Sequence, residues 1–275
     1  MRPIRTVAVF PTLLTLGNLV CGFFAIVVAS RVDAPDSLRP VAQMEIIDLT
    51  NVMISAWLIF LAMIFDGLDG YVARLSNTAS DFGAQLDSLS DVVTFGIAPA
   101  FLLVKMCPRF AFLHREAIWV IAAAYAACAA LRLARFNVET SDEDEHLHFT
   151  GLPSPAAAAA VAGFSIMFYT LRGGEHPLVF ADQIYVGLQT VLPLFAVMVG
   201  LLMVSRVPYP HVVNQIFRGH RSFAHVVGVV FALVAVMVIR GYSVPIMCCS
   251  FVFYGPVRLA WVKLVKRKQQ EEPLF

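Results

Sequence analysis

A series of long, nearly uncharged apolar runs recurs along this sequence and limits what it can fold into. Eight runs stand out, at roughly 8–29, 51–73, 84–106, 117–137, 153–171, 183–205, 223–239 and 243–265. A helix needs about 20 apolar residues to cross a bilayer. The runs are continuously apolar rather than alternating, which favours helices over a barrel. Charged residues make up only 14% of the chain against 59% hydrophobic ones, too few to coat a water-soluble surface. The mean hydropathy of +0.76 agrees. A secreted, disordered or nucleic-acid-binding protein is excluded. The polar connections are at most about 15–20 residues long, so no soluble domain fits between the runs. The stretch from Val7 to Ser30 is too long for a cleaved signal core and lacks a cleavage site, so it reads as a retained first helix. The expected fold is an all-α polytopic membrane protein, a bundle of about eight transmembrane helices.

Charge balance adds little, because 20 Lys+Arg oppose 19 Asp+Glu. Charge placement says more. With the N-terminus in the cytosol, Arg2, Arg5, Arg74, Arg132, Arg135, Arg206, Arg218, Arg221, Arg258, Lys263, Lys266, Arg267 and Lys268 fall on the cytosolic side. Arg31, Arg39, Lys105, Arg109, Arg115, Arg172 and Arg240 fall on the other. This bias follows the positive-inside rule. The basic tail Lys266-Arg267-Lys268 suits an anionic leaflet and also serves as a simple stop signal.

Two residue types are uninformative. The five cysteines lack C-x-x-C spacing and sit mostly in apolar runs, as small hydrophobes do. The seven histidines show no zinc-ligand spacing. Residues 139–148 are strongly acidic and read as a solvated loop.

Asp66, Asp69, Asp87 and Asp91 are different in kind, because they lie within or at the ends of the second and third runs. An Asp at a helix centre costs roughly 2.5–3.5 kcal/mol on insertion scales, so four require a partner, a wet cavity or a cation. Asp66 and Asp69 are spaced i,i+3, and Asp87 and Asp91 i,i+4, so each pair shares one helix face. The polar stretch Ser76–Asp81 between them reads as a turn that makes the two helices an antiparallel pair. Four converging carboxylates stay ionised only around strong positive charge. All-oxygen ligation suits hard divalent ions, Mg²⁺, Mn²⁺ or Ca²⁺, and two such ions make a clamp for phosphoryl displacement. Gly67, Gly70, Ala73, Gly83 and Ala84 allow close approach of a helix or a ligand. Arg74 at the helix end offers charge to a phosphate.

The stretch Asp66-Gly-Leu-Asp69-Gly70-Tyr-Val-Ala73-Arg74, then eight residues, then Gly83-Ala-Gln-Leu-Asp87-Ser-Leu-Ser-Asp91 resembles the signature of the CDP-alcohol phosphotransferases. That signature reads D-x-x-D-G-x-x-A-R, eight residues, G-x-x-x-D-x-x-x-D, and every fixed position is filled. Further stretches resemble the serine-using branch of the family. These are Pro11–Gly22, Leu86–Pro99, Leu131–Asn137, Phe149–Ala156 and Val204–Pro210. One departure is Thr12, where the family often has Asn after the proline. Past residue 222 the likeness is generic hydrophobicity.

The resemblance implies a six-helix catalytic core over 1–222, with two further helices and a basic cytosolic tail over 223–275. It implies transfer of a phosphatidyl group from CDP-diacylglycerol to the hydroxyl of L-serine, releasing CMP. By the same resemblance Asp66, Asp69, Asp87 and Asp91 surround the metal, Mg²⁺ or Mn²⁺, and Asp91 is also the general base. Gly70, Ala73, Arg74, Thr78 and Gly83 would face the nucleotide lipid. Arg132, Arg135 and Asn137 are candidates for the acceptor, since guanidinium binds a carboxylate bidentately; the two arginines equally suit positive-inside anchoring. The expected setting is the cytoplasmic membrane with the active site facing the cytosol, in a homodimer with no nucleic-acid partner.

Two other readings compete. Another acceptor, glycerol 3-phosphate or inositol phosphate, carries an extra phosphate and should demand a denser basic pocket. An ion-coupled transporter should show inverted repeats or paired broken helices, and this sequence shows neither.

Overall fold

The computed structural model describes residues 9–32, 46–75, 81–107, 110, 115–139, 149–173, 180–209 and 240–271. The described elements are nearly all helical. In chain order they are α1 (Val9–Ser30), α2 (Ile46–Leu75), α3 (Asp81–Asp91), a π-helical turn (Val92–Ile97), α4 (Ala98–Met106), α5 (Arg115–Glu139), α6 (Ser154–Gly173), α7 (Ala181–Val204), a 3₁₀ turn (Arg240–Tyr242) and α8 (Ser243–Glu271). α3, the π turn and α4 form one rod. Among the described residues, seven segments are long and apolar enough to cross a membrane: Phe10–Ser30, Ile46–Val72, Phe82–Met106, Glu116–Val138, Ser154–Gly173, Ala181–Val204 and Ser243–Val262. They coincide with seven of the eight expected runs. The remaining run, 223–239, lies outside the described residues, as does the boundary at 222.

α6 is the axle of the bundle. It is the span most deeply buried inside the protein among the described ones, with 13 of its 20 residues buried. Its alanine run from Ala156 to Ala160 is small enough for neighbours to close in, and α2, α4, α5, α7 and α8 all pack on it. Small residues are the usual means of tight packing where lipid is as apolar as the core and burial gives helices little reason to associate. Gly163 serves α8 this way, since a Cβ there would meet the Pro245 backbone at 3.2 Å.

From α1 to α7 the spans alternate in direction, with α3 to α4 as one rod, and α8 runs the same way as α7. At one end, Lys105 Nζ donates to the Val32 carbonyl at 2.7 Å. Arg172 pairs with Asp182 at 3.0 Å at that same end, and Gly241 abuts Thr170. The other end gathers the start of α3, the end of α5 and the start of α6. There a two-residue antiparallel ladder joins β1 (Phe149–Thr150) to β2 (Pro208–Tyr209), in the register Phe149↔Tyr209 and Thr150↔Pro208. The ladder adds to the all-helical expectation without altering it. Gly151 follows at φ +93, and its N–H donates to the Val207 carbonyl at 2.9 Å. Leu152 N–H donates to the Leu202 carbonyl at 3.0 Å. This staple sets where α6 begins. Tyr209 hydroxyl donates to the Val252 carbonyl at 2.9 Å, tying α8 to the same end. Burial pushes the Tyr209 phenol up to about 12, so it keeps the proton that it donates.

Candidate active site

Asp66 and Asp69 project from the last turns of α2, and Asp87 from the middle of α3. Each offers a carboxylate oxygen, and the three oxygens lie within 4.8 Å of one another. The i,i+3 spacing on α2 puts Asp66 and Asp69 on one face, and α3 brings Asp87 to it. Asp69 is only 5% exposed. Its Oδ2 and the Oδ1 of Asp87 are buried without a hydrogen-bond partner. Orphaned buried oxygens are rare in folded proteins, and three carboxylates this close repel one another. A hard divalent cation supplies what both observations lack, so the residues fit such an ion.

Asp91 lies one helical turn deeper along α3, 7% exposed. Its Oδ1 accepts a hydrogen bond from Asn18 Nδ2 at 3.0 Å. Asp91 ends the regular α-helix. Pro99 lacks an N–H, so it cannot donate to the carbonyl of Phe95 four residues back. The helix widens there, with the Ala98 N–H reaching the Val93 carbonyl, while the Phe95 carbonyl is taken by Tyr125 hydroxyl at 3.4 Å. Such π turns often stand at functional sites. This one turns Thr94 toward α1, where its hydroxyl donates to the Asn18 carbonyl at 3.2 Å. α1 and the turn are in contact here: a Cβ on Gly22 would collide with the Thr94 side chain and lie 2.9 Å from its Cα.

Arg132 of α5 enters the same region. Its charge acts on both Asp91 and Asp66, and its Nη1 donates to Ser154 Oγ at 2.6 Å, at the first residue of α6. Asn137 lies farther along α5 and donates to Ser88 Oγ at 2.8 Å, beside Asp87. Arg135 is half-buried on the same helix, and Gly70 and Gly83 are half-buried on α2 and α3. Arg74 and Ala73 continue α2 in the backbone. Thr78 lies outside the described residues.

Three participants were not singled out from sequence. Thr15 of α1 lies beside Asp69 and donates its hydroxyl proton to the Pro11 carbonyl at 3.1 Å, Asn18 bonds Asp91, and Ser154 holds Arg132. Thr15 and Asn18 are i,i+3 polar residues inside an apolar helix, and that spacing was the available signal. Ser154 stands between two prolines and looks like an ordinary helix start.

The family description CDP-alcohol phosphatidyltransferase matches residues 8–234. The chain belongs to that family. Similar proteins include the CDP-diacylglycerol–serine O-phosphatidyltransferase of Methanocaldococcus jannaschii, 34% identical over 73% of this chain and 82% of that protein. The Helicobacter pylori J99 protein of the same name is 32% identical over 76% of this chain and 75% of its own length. The archaetidylserine synthase of Methanothermobacter thermautotrophicus is 34% identical over 56% of this chain and 57% of its own. The phosphatidyltransferase signature, Asp66 to Asp91, spans the converging carboxylates described above. Arg132 and Ser154 lie outside it and complete the surroundings.

Proposed function

We infer that this protein transfers the phosphatidyl group of CDP-diacylglycerol to the hydroxyl of L-serine, giving phosphatidylserine and CMP. The observation that carries the reading is the convergence of Asp66, Asp69 and Asp87 beside Asp91 and Arg132 in a chain of this family. The names of the similar proteins support serine as the acceptor.

Asp66, Asp69 and Asp87, with Asp91 beside them, would hold the divalent cation, Mg²⁺ or Mn²⁺. The bound cation supplies neutralising charge for the pyrophosphate and for the departing CMP. The chain's own residues do the rest. Gly70, Ala73, Arg74, Thr78 and Gly83 receive the nucleotide end of the lipid. Arg132, with Arg135 and Asn137 along α5, holds the serine carboxylate. Held there, the serine hydroxyl comes within reach of Asp91, which takes its proton as the oxygen attacks phosphorus. The phosphorus–oxygen bond to CMP breaks as the new ester bond forms.

Residues 1–222 act as the catalytic domain and 223–275 as an appended segment. The Lys and Arg bias supports a site opening to the cytosol from the cytoplasmic membrane. The lipid-sized apolar surface, including Trp57, Leu61 and Ile64 of α2, suits both the bilayer and a homodimer contact.

The test is CMP release from CDP-diacylglycerol by purified protein offered a panel of alcohols. L-serine should be preferred by a wide margin. Faster release with glycerol 3-phosphate or inositol phosphate would overturn the acceptor.

A further inference from the structure

We propose that Asn18 is a positioning residue for phosphatidyl transfer: it holds one oxygen of Asp91 so that the other is presented to the acceptor hydroxyl. The proposal rests on the reading of Asp91 as the proton acceptor. Asn18 is fully buried in the first span, far in sequence from the signature, and nothing in the signature requires it.

Two observations support this role. First, the contact is direct, with Nδ2 3.0 Å from Asp91 Oδ1. Only the amide nitrogen can face a carboxylate oxygen, since the amide oxygen would place acceptor against acceptor. The amide is therefore oriented, and its own Oδ1 is left buried without a partner. A side chain placed merely for its own satisfaction would not keep an orphaned oxygen. Second, Asn18 is itself held in place. Its backbone carbonyl accepts from Thr94 Oγ1 at 3.2 Å, and Gly22, one turn on, lies against Thr94 with no room for a methyl group. Thr94 is three residues after Asp91, so donor and acceptor are locked at both ends of a short loop of contacts.

A base must present its free oxygen within hydrogen-bond reach of the proton it takes. A carboxylate at the end of α3 can turn about its side-chain torsions, and one fixed oxygen limits that rotation. Loss of such a charge-assisted bond should cost about tenfold to a hundredfold in kcat.

The experiment uses the full-length protein in detergent micelles. It compares wild type, Asn18→Leu, Asp91→Asn and the double variant for CMP release, CMP binding with Mg²⁺, and thermal unfolding. Leu keeps the volume and removes the donor. Asn18→Leu should lower kcat by about tenfold to a hundredfold while KM for serine and for the nucleotide lipid stays within about twofold. CMP binding should match wild type, and the variant should still unfold in one cooperative transition, at a temperature lowered by the lost bond. In the Asp91→Asn background the same change should cost nothing further, because Asn18 acts only through Asp91. Equal losses in both backgrounds would overturn the proposal, as would a normal kcat or a weakened CMP affinity with kcat intact. If the Leu variant does not fold, Asn18→Ser, too short to reach Asp91, takes its place in the same cycle. If wild type releases CMP with another alcohol but not with serine, the acceptor reading fails, and the coupling between the two residues is measured with that alcohol.

Discussion

Gly22→Ala tests whether close contact of α1 with the π turn is what seats Asp91. An alanine Cβ would collide with Thr94 Oγ1 and stand 2.9 Å from the Thr94 Cα. The second contact matters more, because a backbone atom cannot rotate away. Carbon atoms rest about 3.5–4.0 Å apart, so the two helices must part by roughly 0.6–1 Å. The Asn18–Asp91 bond, now 3.0 Å, would then stretch to about 3.6–4 Å, beyond hydrogen-bond range. A bond to a charged group is worth about 1.5–3 kcal/mol, or about tenfold to a hundredfold in rate. Overpacking adds about 1–3 kcal/mol of destabilisation. The assay pairs thermal unfolding in detergent with CMP release at saturating serine. The control is Gly187→Ala on α7, where a Cβ meets nothing within 4 Å. Gly187→Ala should keep full activity and unfold at the same or a higher temperature. Wild-type kcat and stability in Gly22→Ala would show that this contact does not position the base.

Three further outcomes are expected. Excess chelator should abolish CMP release and added Mg²⁺ or Mn²⁺ should restore it; full turnover in chelator would exclude the cation reading of Asp66, Asp69 and Asp87. Asp→Asn at those three positions should lower metal affinity together with rate, whereas Asp91→Asn should lose at least about a hundredfold in turnover with a milder loss of metal affinity, read by titrating metal against activity and against nucleotide-lipid binding. Gly151→Ala should destabilise by about 2–4 kcal/mol, because φ +93 is unfavourable for alanine and its Cβ would strike the Met203 carbonyl and lie 2.9 Å from the Ser205 carbonyl; it should also raise KM for serine as Ser154 shifts from Arg132, and unchanged unfolding would refute the staple.

Much of this protein was legible along the chain. Runs of about 20 apolar residues set the helices, because in a bilayer every backbone group must be satisfied within its own segment. The seven described spans match seven of the runs for that reason. The carboxylate set was legible too: Asp66 and Asp69 share a face by helical spacing alone, and an acid in an apolar run demands a function. What the sequence did not decide was which helix supplies each partner. In a soluble bundle the polar stripe shows which face turns outward; here lipid and core are equally apolar, so Thr15 and Asn18 mark a face of α1 without showing which helix it meets. That Asn18 faces Asp91, that Ser154 takes Arg132, and that Gly151 anchors the start of α6 depended on how each helix is rotated against its neighbours. Those rotations are set by where glycine and alanine let backbones approach, as at Gly22 on Thr94 and Gly163 on Pro245. Such contacts join residues far apart in the chain, and only the packed bundle brings them together.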